Sequence, residues 1–314
     1  MISNSADVFS KLERLKQIRK RQAFCPVAKH RVLASPLTVA DDLSLKTMIS
    51  SPDIYDRELS ILIFEHCEFP DLATRPKYED FIEAISHFDK KVLLWAIFDA
   101  TYKTLGEQEI VCPKCSEKFK DTILAKELVV EDTIKNLWKK SVPFQKDHVE
   151  YTYNIGDEEI GIDKFIFHLS IPTIKRHLDI LRMIDAATVK DNMNNFGTLM
   201  SKTEELSLIT TSISVYFYND KDTELVDDQE KEKDEAISME IAELKTAREV
   251  HKLIGTYIPL DEVKDIVEIF NNEYSSLDPD FKKIMVCPSC EHNFEYKVDM
   301  EVALFKSFLG VGNT

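Results

Sequence analysis

The apolar positions of the chain fall into helical and strand rhythms that alternate along its length. Val92, Leu93, Leu94, Trp95, Ala96, Ile97 and Phe98 run together without a polar break, which predicts a helix buried on every side. Val263, Ile266, Val267 and Phe270 recur at helical spacing and predict a helix with one buried face. Further helices are expected from Val39 to Leu45, Ile54 to Cys67, Tyr78 to Phe88, Lys175 to Ile184 and Ala236 to Tyr257. Thr38 is placed to cap the first of these, with Asp41 in its first turn. Strand rhythm is clearest where Val149, Tyr151, Tyr153 and Ile155 alternate with polar neighbours, so that 148–155 and 160–169 read as a hairpin around Gly156-Asp157-Glu158-Glu159. Phe294, Tyr296 and Val298 alternate in the same way. The expected fold class is α+β, mainly helical with small antiparallel β-hairpins.

Two stretches repeat one another. Asp89-x7-Ile97-Phe98-x3-Tyr102 recurs as Asp261-x7-Ile269-Phe270-x3-Tyr274. Each is followed by a cysteine pair, Val111-Cys112-Pro113-Lys114-Cys115 in one case and Val286-Cys287-Pro288-Ser289-Cys290 in the other, with Phe119 and Phe294 at the same offset. Helix and pair in the same order predict an internal duplication. The organisation that follows is a basic N-terminal helical arm at 1–32, a first helical repeat with its knuckle at 33–140, and a β-hairpin with the second helical repeat and knuckle at 141–314. Residues 219–235 carry nine acidic and three basic side chains and are expected to form an exposed acidic loop.

A C-x2-C turn presents two thiolates from one tight loop, which is half of a tetrahedral site. Two such turns complete a set, so one structural Zn²⁺ is expected on Cys112, Cys115, Cys287 and Cys290, stapling the duplicated halves. Cys-Pro-x-Cys is also a redox spelling, in which the first cysteine opens a helix after a strand. The polar stretches after each pair, Ser116-Glu117-Lys118-Phe119 and Glu291-His292-Asn293-Phe294, fit a knuckle at a hairpin tip better. His292 could replace a cysteine, but the second complete pair makes that unnecessary. Cys25 and Cys67 lack a C-x2-C partner and read as small buried hydrophobes. Cysteines used mainly in metal-type spacing indicate a reducing compartment.

Charge narrows the partners. A net charge of −16 speaks against a general nucleic-acid binder. With only seven glycines there is no G-x-x-x-x-G-K or G-x-G-x-x-G phosphate loop. Residues 1–31 hold a local +6, leaving −22 on the remainder. Val8, Leu12, Leu15 and Ile18 give this basic segment one apolar stripe. It reads either as a solvated helix packed on its own domain or as an arm reaching onto an acidic neighbour, a homo-oligomer being one version. The charged stretch from Met1 to Gln22 has no apolar h-region, and no run approaches the length of a membrane span, so neither a signal peptide nor membrane insertion is expected. The eight histidines are scattered, without H-E-x-x-H. In a zinc deaminase, proline precedes the first cysteine of its pair, whereas here it follows. A site closed by four thiolates leaves no position for a catalytic water, so the chain is not expected to be an enzyme.

Four segments in order carry a family resemblance: Pro36-Leu37-Thr38-Val39-Ala40-Asp41-Asp42; the first cysteine pair with Phe119; Phe167-His168-Leu169-Ser170-Ile171-Pro172-Thr173; and the second pair continuing as Glu291-His292-Asn293-Phe294-Glu295-Tyr296-Lys297-Val298-Asp299. Between residues 33 and 305 the chain resembles baseplate hub proteins of T4-like contractile-tailed bacteriophages. The resemblance implies a non-enzymatic structural component of the virion tail baseplate, assembled in the host cytoplasm with other hub, tail tube or tape-measure proteins. Glu291 stands where that family closes its pair with glycine, a replacement that bears on the turn geometry and not on the ligands. Two other readings accompany this one. A tail or hub assembly chaperone would be absent from the mature particle. A zinc-ribbon subunit of a transcription or nucleic-acid complex calls for basic and aromatic residues around the knuckles, which Lys114, Lys118, Lys120 and Phe119 supply in the first copy alone.

Overall fold

The computed structural model describes residues 14, 19–47, 52–128, 149–157, 161–183, 201–217 and 240–309. In chain order the elements begin with strands β1 (Arg21–Phe24) and β2 (Arg31–Ala34), helices α1 (Val39–Thr47) and α2 (Pro52–His66), and strand β3 (Cys67–Glu68). Next come α3 (Tyr78–Ala84), α4 (His87–Thr101), β4 (Thr104–Val111), β5 (Lys118–Leu124) and α5 (Ala125–Leu128). The middle holds β6 (Val149–Asp157), β7 (Ile162–Leu169), α6 (Ile174–Met183), α7 (Lys202–Ile209), β8 (Thr210–Phe217), β9 (Glu240–Leu244), α8 (Ala247–Tyr257) and α9 (Leu260–Tyr274). A 3-10 turn (Ser275–Leu277), β10 (Lys282–Val286), β11 (Asn293–Lys297) and α10 (Met300–Leu309) follow.

These elements gather into two compact units. The first draws on three separate stretches, 19–128, 173–183 and 276–309, and contains both cysteine pairs. Its centre is α4, where Val92, Leu93, Leu94, Ala96 and Ile97 are fully buried, as the unbroken apolar run predicts. The helix starts at a capping box: Ser86 Oγ accepts from the Asp89 N–H, and the Asp89 carboxylate accepts from the Ser86 N–H. Trp95 keeps its indole N–H satisfied inside this core by donating to the Ala125 carbonyl at 2.9 Å. The antiparallel sheet β1-β2-β3 and helices α2, α3, α6 and α10 complete the unit around α4. The hairpins β4–β5 and β10–β11 anchor in the same core through Ile110, Ile123, Phe281 and Met285.

The second unit, 149–172 with 201–275, is an antiparallel sheet in the order β6-β7-β8-β9 with α7, α8 and α9. The expected hairpin is its first half. Phe165, Phe167, Leu169, Ile213 and Val215 point to one buried side, as the two-residue period of a strand requires. Tyr151, paired with Phe167, ties β6 to α9 by donating to Glu262 at 2.7 Å.

Several expectations change against these elements. The helix expected over 78–88 breaks in two: Ile85 is extended, and Ser86 starts α4. Of the helix expected over 236–257, residues 236–239 lie outside the described residues; the remainder is a strand, β9, then α8 from Ala247, because the side-chain oxygen of Thr246 caps at that point and residues 240–244 pair with β8. Among the described residues 46% are helical and 31% are in strands, so what is seen is a mixture of helices and antiparallel sheets, and the expected predominance of helix is not shown. Residues 21–24 and 31–34, placed in the helical arm and at its edge, are strands. The arm's apolar stripe, Val8, Leu12, Leu15 and Ile18, and the acidic stretch 219–235 lie outside the described residues. The two helices of the expected repeat, α4 and α9, are both 15 residues long, the first buried nearly all round and the second on one face. Their surroundings differ: α4 packs on β1, β2 and α10, and α9 on α7. Among the described residues no helix is long and apolar enough to cross a membrane.

Candidate metal centre

Each cysteine pair sits at the tip of a hairpin. In β4–β5 the last strand pair is Val111 with Lys118, and in β10–β11 it is Val286 with Asn293, so six residues close each turn. The Cys112 N–H donates to the Glu117 carbonyl and the Ser116 N–H to the Cys112 carbonyl, both at 2.9 Å. The second turn repeats this with Cys287 and His292 at 3.0 Å and Glu291 and Cys287 at 2.9 Å. Proline as second residue presets φ for the bend. The fifth residue is left-handed in both, Ser116 at φ 61° and Glu291 at φ 54°. Glu291 therefore takes in the second turn the conformation that Ser116 takes in the first. No helix starts at either first cysteine, which removes the geometric basis of the redox reading.

The four sulfurs converge, all within 4.8 Å of one another. Cys112 Sγ is 3.7 Å from Cys290 Sγ, and Cys115 Sγ is 3.6 Å from Cys287 Sγ. A tetrahedron with metal–sulfur bonds of about 2.3 Å has edges of about 3.8 Å, so the thiols already stand near the spacing that a metal imposes. Cys112 and Cys287 are buried, Cys290 is half-buried and Cys115 is exposed. Among the described residues no other group of three or more His, Cys, Asp or Glu side chains converges in this way.

Protonation shows what such a set lacks. Burial works against a Cys112 thiolate, but N–H groups of Cys115 and Lys114 and the thiols of Cys115 and Cys287 bring its pKa to about 7. Cys115 is pushed the other way, up to about 12: the Glu117 N–H favours its thiolate, but Cys290, burial, Cys112 and Cys287 together outweigh it. Cys290 is raised as well, in spite of the His292 N–H. Four sulfurs at this spacing cannot share several negative charges without a cation, and a coordinated cation deprotonates them outright. The donor set, soft and tetrahedral, fits a metal ion of the kind bound by four thiolates.

Other contacts hold the two hairpins together. Phe119 meets Phe294 edge to face at 6.3 Å. Lys283 reaches from β10 to Asp121 and Glu127, each at 3.0 Å. His292 stacks on Phe294 and is not among the converging ligands. Cys25 and Cys67 are fully buried and also stand apart from the cluster. The sequence points to the four cysteines directly. Lys283 carries no such signal, since its partners are more than 150 residues away and single charges have no spacing rule. Comparison with known proteins finds no matching family model, no matching characterised protein and no matching solved structure.

Proposed function

We propose that this chain is a structural, non-enzymatic protein in which one Zn²⁺, held by Cys112, Cys115, Cys287 and Cys290, clasps two knuckles that descend from a duplication. The observation that carries this reading is the convergence of four thiols from two hairpins into one closed set at near-tetrahedral spacing. Such a site uses every coordination position for protein ligands and supplies folding free energy instead of chemistry. The resemblance of residues 33 to 305 to phage baseplate hub proteins gives the setting: a subunit of a tail baseplate hub, joined to hub, tail tube or tape-measure neighbours. There, a metal clasp rigidifies a part that must hold its place under load.

Metal analysis of the purified protein should find about one zinc per chain, and a value near zero or near two would remove the shared clasp. Mass spectrometry of purified virions should find the chain among tail proteins. Its absence from virions, combined with association during assembly, would reassign it to assembly. A salt-sensitive gel shift with DNA or RNA would reassign it to a nucleic-acid complex.

A further inference from the structure

A third hairpin tip has the same build as the two knuckles. Between β1 and β2 run Cys25-Pro26-Val27-Ala28-Lys29-His30, six residues that again begin Cys-Pro. The Cys25 N–H donates to the His30 carbonyl at 2.9 Å and the Lys29 N–H to the Cys25 carbonyl at 3.1 Å. These are the two hydrogen bonds that close the turns at Cys112 and Cys287, between the same turn positions. The fifth residue is left-handed here too, Lys29 at φ 58°. Only the second cysteine is missing, and Ala28 stands in its place.

The difference lies in what the turn surrounds. In the first knuckle the N–H groups of the third and fourth residues, Lys114 and Cys115, are directed at the Cys112 sulfur. In the third turn the equivalent groups donate to a carboxylate: Val27 N–H to Asp89 Oδ1 at 2.9 Å and Ala28 N–H to Asp89 Oδ2 at 3.0 Å. The same carboxylate accepts from the Ser86 hydroxyl at 2.8 Å and the Ser86 N–H at 3.2 Å. Burial raises the Asp89 pKa, but every partner is a donor that works against that rise, and the N-terminus of α4 likewise favours negative charge at this point.

We infer that residues 25–30 are a third knuckle, built on the same turn but closed by the Asp89 carboxylate in place of a metal. One side chain then does two jobs, capping α4 and holding the hairpin tip onto it. Cys25 is not a ligand in this arrangement. Burial, the Asp89 charge and Cys67 all push its thiol well above the ordinary range, so it stays protonated. The inference is independent of which ion occupies the four-cysteine site, because no metal bond enters it.

Hydrogen exchange on the full chain, followed in peptides covering each turn, separates the three knuckles. On chelation, exchange at 112–117 and 287–292 should rise at least tenfold, while exchange at 25–30 stays within twofold of its untreated rate. Loss of protection at 25–30 in parallel with the other two would overturn the inference, since it would place metal there as well. If chelation changes none of the three, the metal reading fails while the third turn is left to the Asp89→Asn variant. That variant should speed exchange at 25–30 at least tenfold with the metal content unchanged, and unaltered exchange would overturn the assignment. Cys25→Ser, which leaves the carboxylate in place, should keep both the metal content and the cobalt(II)–thiolate absorption of the wild type. A loss of either would make Cys25 a ligand and refute the proposal even if Asp89→Asn does not fold.

Discussion

Varying free zinc through chelator-buffered solutions perturbs the clasp without altering a residue, and the response counts the ions. An ion that binds only the folded state adds stability as RT ln(1 + [L]/Kd), which is about 1.4 kcal/mol for each tenfold rise in free metal above Kd. One ion shared by Cys112, Cys115, Cys287 and Cys290 gives that slope once, and two ions on separate pairs give it twice. For a unit of roughly 200 residues, 1 kcal/mol moves the midpoint by about 2–4 °C. The expected shift is therefore about 3–6 °C per decade of free zinc. The unit should still melt cooperatively after chelation, because Ile110, Ile123, Phe281 and Met285 tie both hairpins into the core without help from the metal. Scanning calorimetry across three decades of free zinc provides the measurement. A midpoint that stays flat refutes metal linkage, a slope near 2.8 kcal/mol per decade refutes sharing, and loss of any transition on chelation refutes the role given to the apolar anchors.

Other perturbations follow from the same core. Lys90 is buried between Asp56 and Glu301, each at 2.8 Å, so Lys90→Met leaves two carboxylates without their cation and should cost about 3–5 kcal/mol in urea unfolding. Burial opposes the Asp56 charge, but Lys90 and then His177 hold its carboxyl well below the usual range; that stabilisation is present above about pH 4 and is lost as pH falls further, so the cost of Lys90→Met should shrink in acid. His87 stacks on His177 at 5.0 Å, and burial, then His177, Lys90 and Lys91, set against an opposing pull from Asp56, hold its pKa well below the ordinary value. The folded state therefore refuses a proton that the unfolded chain accepts near pH 6.5, and stability should fall by about 2 kcal/mol between pH 6.5 and pH 5; His87→Phe should flatten that slope in urea titrations at each pH. Glu291→Gly removes a left-handed side-chain residue from the second knuckle and should raise stability by up to about 1 kcal/mol, a gain that thermal melts at fixed free zinc would detect.

The four-cysteine cluster is legible in the sequence because paired C-x2-C turns carry a spacing rule, and the burial of α4 because its seven-residue apolar run offers no polar face to water. Elsewhere local signals were outweighed or lacked a partner. Residues 240–244 read Glu-Ile-Ala-Glu-Leu, which suits a helix locally, but Ile241 lies opposite Tyr216, and pairing with β8 overrides the local preference. Ile213, Val215 and Phe217 alternate along β8, a strand rhythm that is present in the sequence. The break at Ser86 also had a local sign, a serine three residues ahead of an aspartate. The third knuckle was hidden for a different reason: Cys25-Pro26 repeats the opening of the other two turns, but its closing group is Asp89, more than sixty residues on, and a carboxylate has no motif.

The separation of the two pairs along the chain sets a timetable for synthesis. Cys115 and Cys287 are 172 residues apart, and a ribosome adding about 5–20 residues per second needs roughly 10–30 s to cover that distance. During this interval the first hairpin's thiols are without Cys287 and Cys290. The nascent chain passes this window with Cys112 and Cys115 open to oxidants and stray metals. Completion of the first unit waits for the strands and helix of 276–309, so the four-cysteine cluster assembles as a late event in the chain's making.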